Sequence, residues 1–206
     1  LPANDKRPEV YADSVKSEAA AAGLAVTVLD ETALAEKGFG ALLAVAQGSE
    51  AKPRLVILEY RVEGAEKTIA LVGKGVTFDT GGLNLKVSGS MTDMKTDMAG
   101  SAAVAGALIA AAGFKPACNV IGLLPLVENM PSGSAIRPGD IIQAYSGKTV
   151  EIGNTDAEGR LILVDTLAYA VDTYQPDILI DLATLTGACL MGLGEKFAPV
   201  FSHDDA

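Results

Sequence analysis

Asp97 to Leu124, DMAGSAAVAGALIAAAGFKPACNVIGLL, is the stretch that decides how the rest of the chain is read. Asp97 to Phe114 is dominated by Ala and Gly, which predicts a helix whose small-residue face packs closely against a sheet. Cys118 to Leu124 then runs apolar without alternation, the pattern of a strand buried on both faces. A helix leading straight into a doubly buried strand is the repeating step of an α/β fold.

The same alternation recurs on either side. Pro8 to Ala22 has helical spacing and closes at Gly23, Leu24 to Leu29 reads as a strand, and Asp30 can cap a short helix to about Lys37. A weaker helix, Phe39 to Gln47, closes at Gly48. Leu55 to Val62 and Thr68 to Val72 are β-rich runs joined by the polar turn Glu63-Gly64-Ala65-Glu66, which predicts an antiparallel pair. Val76 to Phe78 continues the strand pattern beyond Gly73-Lys74-Gly75, and Thr80-Gly81-Gly82 opens an irregular loop to Asp93. Downstream, Pro125 to Gly139 reads as a loop, and Ile141 to Tyr145 with Thr149 to Ile152 as a hairpin around Ser146-Gly147-Lys148. Leu161 to Tyr174 is an amphipathic helix ended by Pro176, Ile178 to Leu182 another buried strand, and Thr184 to Gly194 is too Gly-rich to assign. The fold class is therefore α/β, a mixed central sheet flanked by helices on both sides in three layers, with one domain over 1–206 and no internal repeat.

With 206 residues, 49% of them hydrophobic, the chain can bury one sizeable core, and 5% aromatics without Trp make that core aliphatic. A formal charge of -10, with 16 basic residues and no basic cluster, argues against nucleic acid or an anionic membrane as partner and leaves cations plausible. Ala99 to Phe114 falls short of the roughly 18 apolar residues of a membrane span. Cys118 and Cys189 lie in apolar runs far apart, so buried free thiols in a reducing compartment are expected. The chain opens on Leu and closes on Phe201-Ser202-His203-Asp204-Asp205-Ala206, residues suited to cap a following helix, which predicts a piece of a larger fold.

Ligands of open α/β sheets gather where strands end. Three such places carry polar residues: Gly73 to Gly82, with Lys74 and Asp79; Met91 to Gly100, with Asp97; and Asn154-Thr155-Asp156-Ala157-Glu158-Gly159-Arg160-Leu161. Each has an ordinary reading as cap or solvated side chain, and the octapeptide alone suits helix capping. In an extended segment, however, Asp156 and Glu158 would point the same way. Four carboxylates, Asp79, Asp97, Asp156 and Glu158, gathered from three strand-edge loops suit hard divalent ions, and a pair of them. The Gly-rich segment lacks the order of a phosphate loop. His203, near the end of the chain, makes a Ser-His-Asp, Cys-His or His-rich zinc site a poor fit, so carboxylates, lysines and Arg160 must carry any catalysis.

NTDAEGRL at 154–161 resembles the signature of the leucyl aminopeptidases, cytosolic dinuclear metallo-exopeptidases. GKGVTFDTGGLNLK at 73–86, MKTDMAGSAAV at 94–104 and LATLTGA at 182–188 match that family's other blocks in order, and Leu1-Pro2-Ala3-Asn4 is similar to the linker entering its catalytic domain. The resemblance implies a zinc-exopeptidase-like fold, with the family's N-terminal domain and the last part of its catalytic domain outside this sequence. It implies that Lys74, Asp79, Asp97, Asp156 and Glu158 are metal ligands, Asp79 and Glu158 shared, with Lys74 as a neutral amine. Lys86 and Arg160 would be the catalytic pair, the first stabilising an oxyanion and the second anchoring bicarbonate. Met94, Thr184, Leu185 and Gly187 would shape the substrate site, Leu185 through its carbonyl, while Asn154 and Gly159 would set the turn. Two divalent ions roughly 3.5–4 Å apart, Zn or Mn with Mg or Co as alternatives, would activate water against peptides with a free N-terminus, leucine-like residues preferred. A cytoplasmic homo-hexameric parent follows from the same resemblance, as does weak turnover by this piece alone. The rivals are a metal-binding assembly fragment without turnover, which would not need Lys86 and Arg160, and a dinuclear phosphoesterase, which would want more basic residues.

Overall fold

The computed structural model describes residues 1–87 and 89–204; Ser88 of the predicted loop and Asp205 and Ala206 of the terminal capping sequence lie outside them. Helices α1 (Pro8–Ala21), α2 (Glu31–Glu36), α3 (Gly40–Ala46), α4 (Ala99–Phe114), α5 (Glu158–Tyr174) and α6 (Ala188–Leu193) alternate with strands β1 (Ala25–Leu29), β2 (Arg54–Tyr60), β3 (Thr68–Gly73), β4 (Gly75–Asp79), β5 (Asn119–Asn129), β6 (Ile141–Gln143), β7 (Thr149–Glu151) and β8 (Ile178–Leu182). The main sheet runs β1-β2-β5-β3-β8, with β4 also on β5, and β6 and β7 form a separate hairpin. β1, β2 and β5 pair antiparallel, whereas β3, β4 and β8 run parallel to their neighbours, so the sheet is mixed as expected.

Side chains along β5 alternate between two cores, as a period of two requires. Val120, Leu124 and Leu126 join Val56 and Leu58 under α1 and α4, while Ile121, Leu123 and Val127 join Leu55 and Ile57 under α3 and α5. Close helix approach depends on missing side chains: a Cβ on Gly122 of β5 would come 2.8 Å from Leu108 of α4. A Cβ on Gly100 would run into the Leu182 carbonyl and come 3.0 Å from the Lys74 nitrogen. The small-residue face of α4 thus sets its first turn against the ends of β3 and β8.

Several expectations are corrected. β2 and β3 are not an antiparallel pair, because β5 lies between them and each pairs with it on opposite sides. Pro125 does not end the strand beginning at Asn119. β5 stops pairing with β3 at Leu123 and starts pairing with β4 at Leu126, so the proline falls at the junction of two ladders, where its missing N–H is tolerated. β8 is not buried: it lies at the sheet edge, with Ile178 46% and Ile180 47% exposed. Cys118 and Cys189 are free but only half-buried. The segment from Met94 through α4 has the length and mean hydropathy (1.5) of a membrane span, although α4 alone does not. Its Val104, Ala105 and Leu108 are buried against the sheet, and its first turns carry Asp97 and Ser101, which marks it as a core helix.

Candidate metal centre

The polar loops converge at the C-terminal ends of the parallel strands. Lys74 follows β3, Asp79 ends β4, Asn129 ends β5 and Thr184 follows β8, while Asp97 precedes α4 and Glu158 opens α5. Asp97 closes a 3-10 turn, Met94–Thr96, and its side chain caps no helix, so the ordinary reading for it is excluded. Asp156 and Glu158 are not presented by an extended segment, as the sequence suggested. Asp156 lies in a 3-10 turn, Thr155–Ala157, capped by Asn154, whose Oδ1 accepts from the Asp156 N–H at 2.8 Å. The turn runs directly into α5, and this tightly wound backbone brings the two carboxylates together.

Two lysines thread the carboxylates. Lys74 Nζ lies 2.7 Å from Asp97 Oδ2 and 2.9 Å from Glu158 Oε1, and Lys86 Nζ lies 2.8 Å from Asp79 Oδ2 and 2.6 Å from Asp156 Oδ1. Asp79, Asp156 and Glu158 each place one oxygen within 4.8 Å of the others. Lys74, Asp79, Asp97 and Glu158 are buried, with Glu158 1% exposed. Four carboxylates against two ammonium groups leave an excess of negative charge in a low-dielectric setting, an arrangement that calls for a further cation. Burial opposes the charge on Lys74, yet Glu158 and Asp97 outweigh it and raise its pKa. Lys86 is also raised: its burial is overcome by hydrogen bonds to Asp156 and Asp79. Burial pushes Asp97 up against the pull of Lys74, and pushes Glu158 up to about 7.

The fit to a metal rests on unpaired oxygens. Among the described residues, the buried Oε2 of Glu158 has no hydrogen-bond partner, and the buried Oδ2 of Asp97 has only its ion pair with Lys74. Buried carboxylate oxygens are ordinarily satisfied, so orphans facing a carboxylate cluster are what a divalent ligand shell would leave when read from the protein side. The donors present are carboxylate oxygens, which suit a hard or borderline divalent ion, and the Lys74 nitrogen would join them only on giving up its proton.

Of the other predicted residues, Thr184 is at the site: its hydroxyl donates to Asp97 Oδ1 at 2.7 Å and its carbonyl accepts from Lys74 at 3.1 Å. Leu185 packs near Gly159, where a Cβ would come 3.1 Å from Leu185 Cδ1 and 2.7 Å from Lys74 Cε. Met94 is half-buried in the turn carrying Asp97, and Gly187 stands exposed at the start of α6. Arg160 is exposed on the first turn of α5 and makes no ion pair among the described residues.

Sequence reasoning missed the scaffold of the site. Thr155, wholly buried, donates to the Gly81 carbonyl at 2.6 Å and accepts from the Asn84 N–H at 2.8 Å, while its own N–H donates to Asn84 Oδ1 at 2.8 Å. Asn129 donates to Asp79 Oδ1 at 2.9 Å and to the Thr155 carbonyl at 3.0 Å. These bonds tie three loops into one frame. Gly82, at φ +67°, leaves room for both Asn129 and Thr155. A signal existed for Asn129 alone, as the polar end of a strand carried through Pro125.

An open mixed α/β sheet, with lysine-bridged carboxylates at its parallel strand ends, defines the class: an α/β domain built around a candidate divalent-metal centre. A sequence model described as the cytosol aminopeptidase family, catalytic domain, matches residues 1–206, and the chain belongs to that family. It is 56% identical over 206 residues to a probable cytosol aminopeptidase of Syntrophotalea carbinolica, covering 99% of this chain and 41% of the relative. A namesake in Chlorobaculum tepidum is 53% identical, covering 100% of this chain and 41% of its own length, and one in Methylorubrum extorquens is 53% identical with the same coverage. The chain thus spans about two-fifths of the length of the curated relatives it matches.

Proposed function

We propose that this chain is the metal-bearing part of an aminopeptidase that removes N-terminal, leucine-like residues from peptides in the cytoplasm, within a homo-hexameric parent. The observation that carries the reading is the over-acidic cluster of Lys74, Asp79, Asp97, Asp156 and Glu158, buried except at Asp156, with its orphaned Glu158 oxygen, in a chain of this family. Two divalent ions, Zn or Mn with Mg or Co as alternatives, would be held by those five residues and would supply an activated water and polarise the scissile carbonyl. Lys86, kept protonated by Asp79 and Asp156, stands at the rim of the cluster, 15% exposed at its side chain, where an ammonium can donate to an oxyanion as charge develops. Arg160, exposed and free of ion pairs among the described residues, is available to hold a small anion such as bicarbonate. The acidic cluster suits a substrate's free α-amine. Thr184, bonded to Asp97 and Lys74, and Leu185, beside Gly159, lie next to it, and together with Met94 and Gly187 they would receive the side chain of the first residue.

Calorimetric titration with Mn2+ and release of p-nitroaniline from leucyl-p-nitroanilide test the reading. This chain is expected to take up two equivalents of Mn2+ and to turn over slowly. Lys86→Met should keep both equivalents and lower turnover by roughly 100- to 1,000-fold, the loss seen when an oxyanion donor is removed. A chain that takes up no Mn2+ sinks the proposal, and unchanged turnover in Lys86→Met removes that residue from the mechanism.

Gly159 supports the assignment of Lys74. Gly159→Ala places a methyl 2.7 Å from Cε of the buried Lys74, whose ammonium is held by Asp97, Glu158 and the Thr184 carbonyl, so folding should lose about 1–3 kcal/mol while Mn2+ affinity falls about 10-fold. Equal Mn2+ binding by wild type and variant would show that Lys74 is no ligand.

A further inference from the structure

Two side chains from the N-terminal segment reach the chain around Asp97, one at the turn before it and one on α4 after it. Lys6 is 6% exposed, and its ammonium donates to the Lys95 carbonyl. The hydroxyls of Tyr11 on α1 and Ser101 on α4 lie 3.3 Å apart, and Ser101 also donates to the Met98 carbonyl at 2.7 Å.

The Lys6 contact is unusual for this composition. The chain has 26 acidic residues, yet Lys6 pairs with none of them among the described residues. Burial and the nearby Lys95 ammonium both oppose its charge. What it meets instead is a carbonyl of the 3-10 turn Met94–Thr96, a group left without an intrahelical donor at the end of a helical turn. Asp97 stands two residues further on.

The turn is braced at its start, where the Thr96 N–H and hydroxyl both donate to the Asp93 carbonyl at 2.9 and 2.7 Å, and less well at its end. Its own closing bond, Asp97 N–H to the Met94 carbonyl, is 3.4 Å long. The start of α4 is clamped to β3 through the Ser101 N–H and the Lys74 carbonyl at 2.9 Å, but that bond lies four residues beyond Asp97. On the outer side an open cleft of about 590 Å³, bordered by Leu1, Pro2, Lys95, Thr96 and Met98, takes the place of packing. On that side the Lys6 ammonium, itself lining the cleft, reaches across to the turn with a directed hydrogen bond.

We propose that Lys6 is a positioning residue for the metal centre: by holding the Lys95 carbonyl it fixes the turn that presents Asp97 to Lys74 and Thr184. The inference rests on the metal-centre reading. It gives the segment before α1 a part in the site, so that whatever moves Leu1 to Lys6 also moves a ligand.

Titration of this chain with Mn2+ tests it. Lys6→Met, which keeps the stem and removes the donor, should weaken one of the two Mn2+ equivalents about 10-fold and leave the other within about twofold, the size of effect expected when a supporting contact to a ligand is lost. Lys6→Arg, which restores a donor, should recover the affinity. Val15→Ala, which trims a buried α1 side chain away from the turn, should lower the melting temperature without moving either Mn2+ affinity. Wild-type affinities in Lys6→Met overturn the inference, as does equal weakening in Val15→Ala. If Lys6→Met does not fold, Lys6→Gln carries the same comparison with the same reversing result. Absence of Mn2+ binding by the wild-type chain instead overturns the metal-centre reading and this inference with it.

Discussion

Glu158→Gln is expected to abolish divalent-metal binding while leaving the fold intact, with Mn2+ affinity lower by at least about 100-fold and the melting temperature within about 3 °C of wild type. The two halves of this result have separate causes. Glu158 ends in an oxygen with no hydrogen-bond partner and another paired to Lys74, so its charge serves the fold poorly. Its carboxyl is pushed up to about 7 by burial, against the pull of Lys74 and with Asp79 adding to the rise, which marks it as a costly anion in the metal-free chain. An amide of the same shape removes one charge from an over-acidic cluster and can donate to Asp79 or Asp97, so folding loses little. A metal site loses both a charge and an oxygen at its most buried position. Calorimetry with Mn2+ alongside thermal melting makes the comparison. A variant that melts well below wild type yet, while folded, binds Mn2+ at wild-type affinity would show the carboxylate to be structural.

The ligand candidates were legible because their residue types are costly where they stand. Charged residues at the ends of apolar strands need a reason, and the five candidates are gathered by two sets of ion pairs, Lys74 with Asp97 and Glu158, and Lys86 with Asp79 and Asp156. Helices α1, α2 and α5 were legible from Gly23, Asp30 and Pro176, local signals that hold whatever the tertiary context. Strand partners were not, since nothing local in β2 or β3 announces that β5 will come between them from some 60 residues downstream. Pro125 misled for a related reason, because its cost depends on a ladder gap created by two other strands. Thr155 and Asn84 were invisible as a frame, for each is an ordinary turn residue until the fold brings their side chains into contact with each other and Thr155 against Asn129 at the end of β5. The long-range cap on α3 belongs to the same class.

That cap predicts the largest loss of stability. Sequence suggested only a weak helix over Phe39 to Gln47, and α3 has no cap from its own flank. The cap comes from Asp165 on α5, whose Oδ2 accepts from the N–H groups of Ala41 and Leu42, each at 2.9 Å. Its Oδ1 accepts from the Tyr145 N–H at 2.8 Å, which ties in the segment after β6. Asp165 is fully buried; burial raises its pKa, and the three N–H groups oppose the rise. Asp165→Ala recovers the desolvation of the carboxylate but strands three N–H donors, two of them on wholly buried residues at the positive end of a helix. The stranded donors outweigh the recovered desolvation, since hydrogen bonds to a charged acceptor are worth about 1.5–3 kcal/mol each before non-additivity. The expected loss is about 3–5 kcal/mol, or roughly 10 °C or more in melting temperature for a chain of this size. Asp165→Asn keeps one acceptor oxygen but turns an amide N–H toward a backbone N–H, so its loss should be about 1–3 kcal/mol. Urea denaturation of the three chains gives the order wild type, Asn, Ala. Because α5 also carries Glu158 and the segment after β6 leads toward Asn154, the Ala variant should weaken Mn2+ binding as well. An alanine variant within 1 kcal/mol of wild type would mean that water satisfies the three donors and that α3 holds by packing alone.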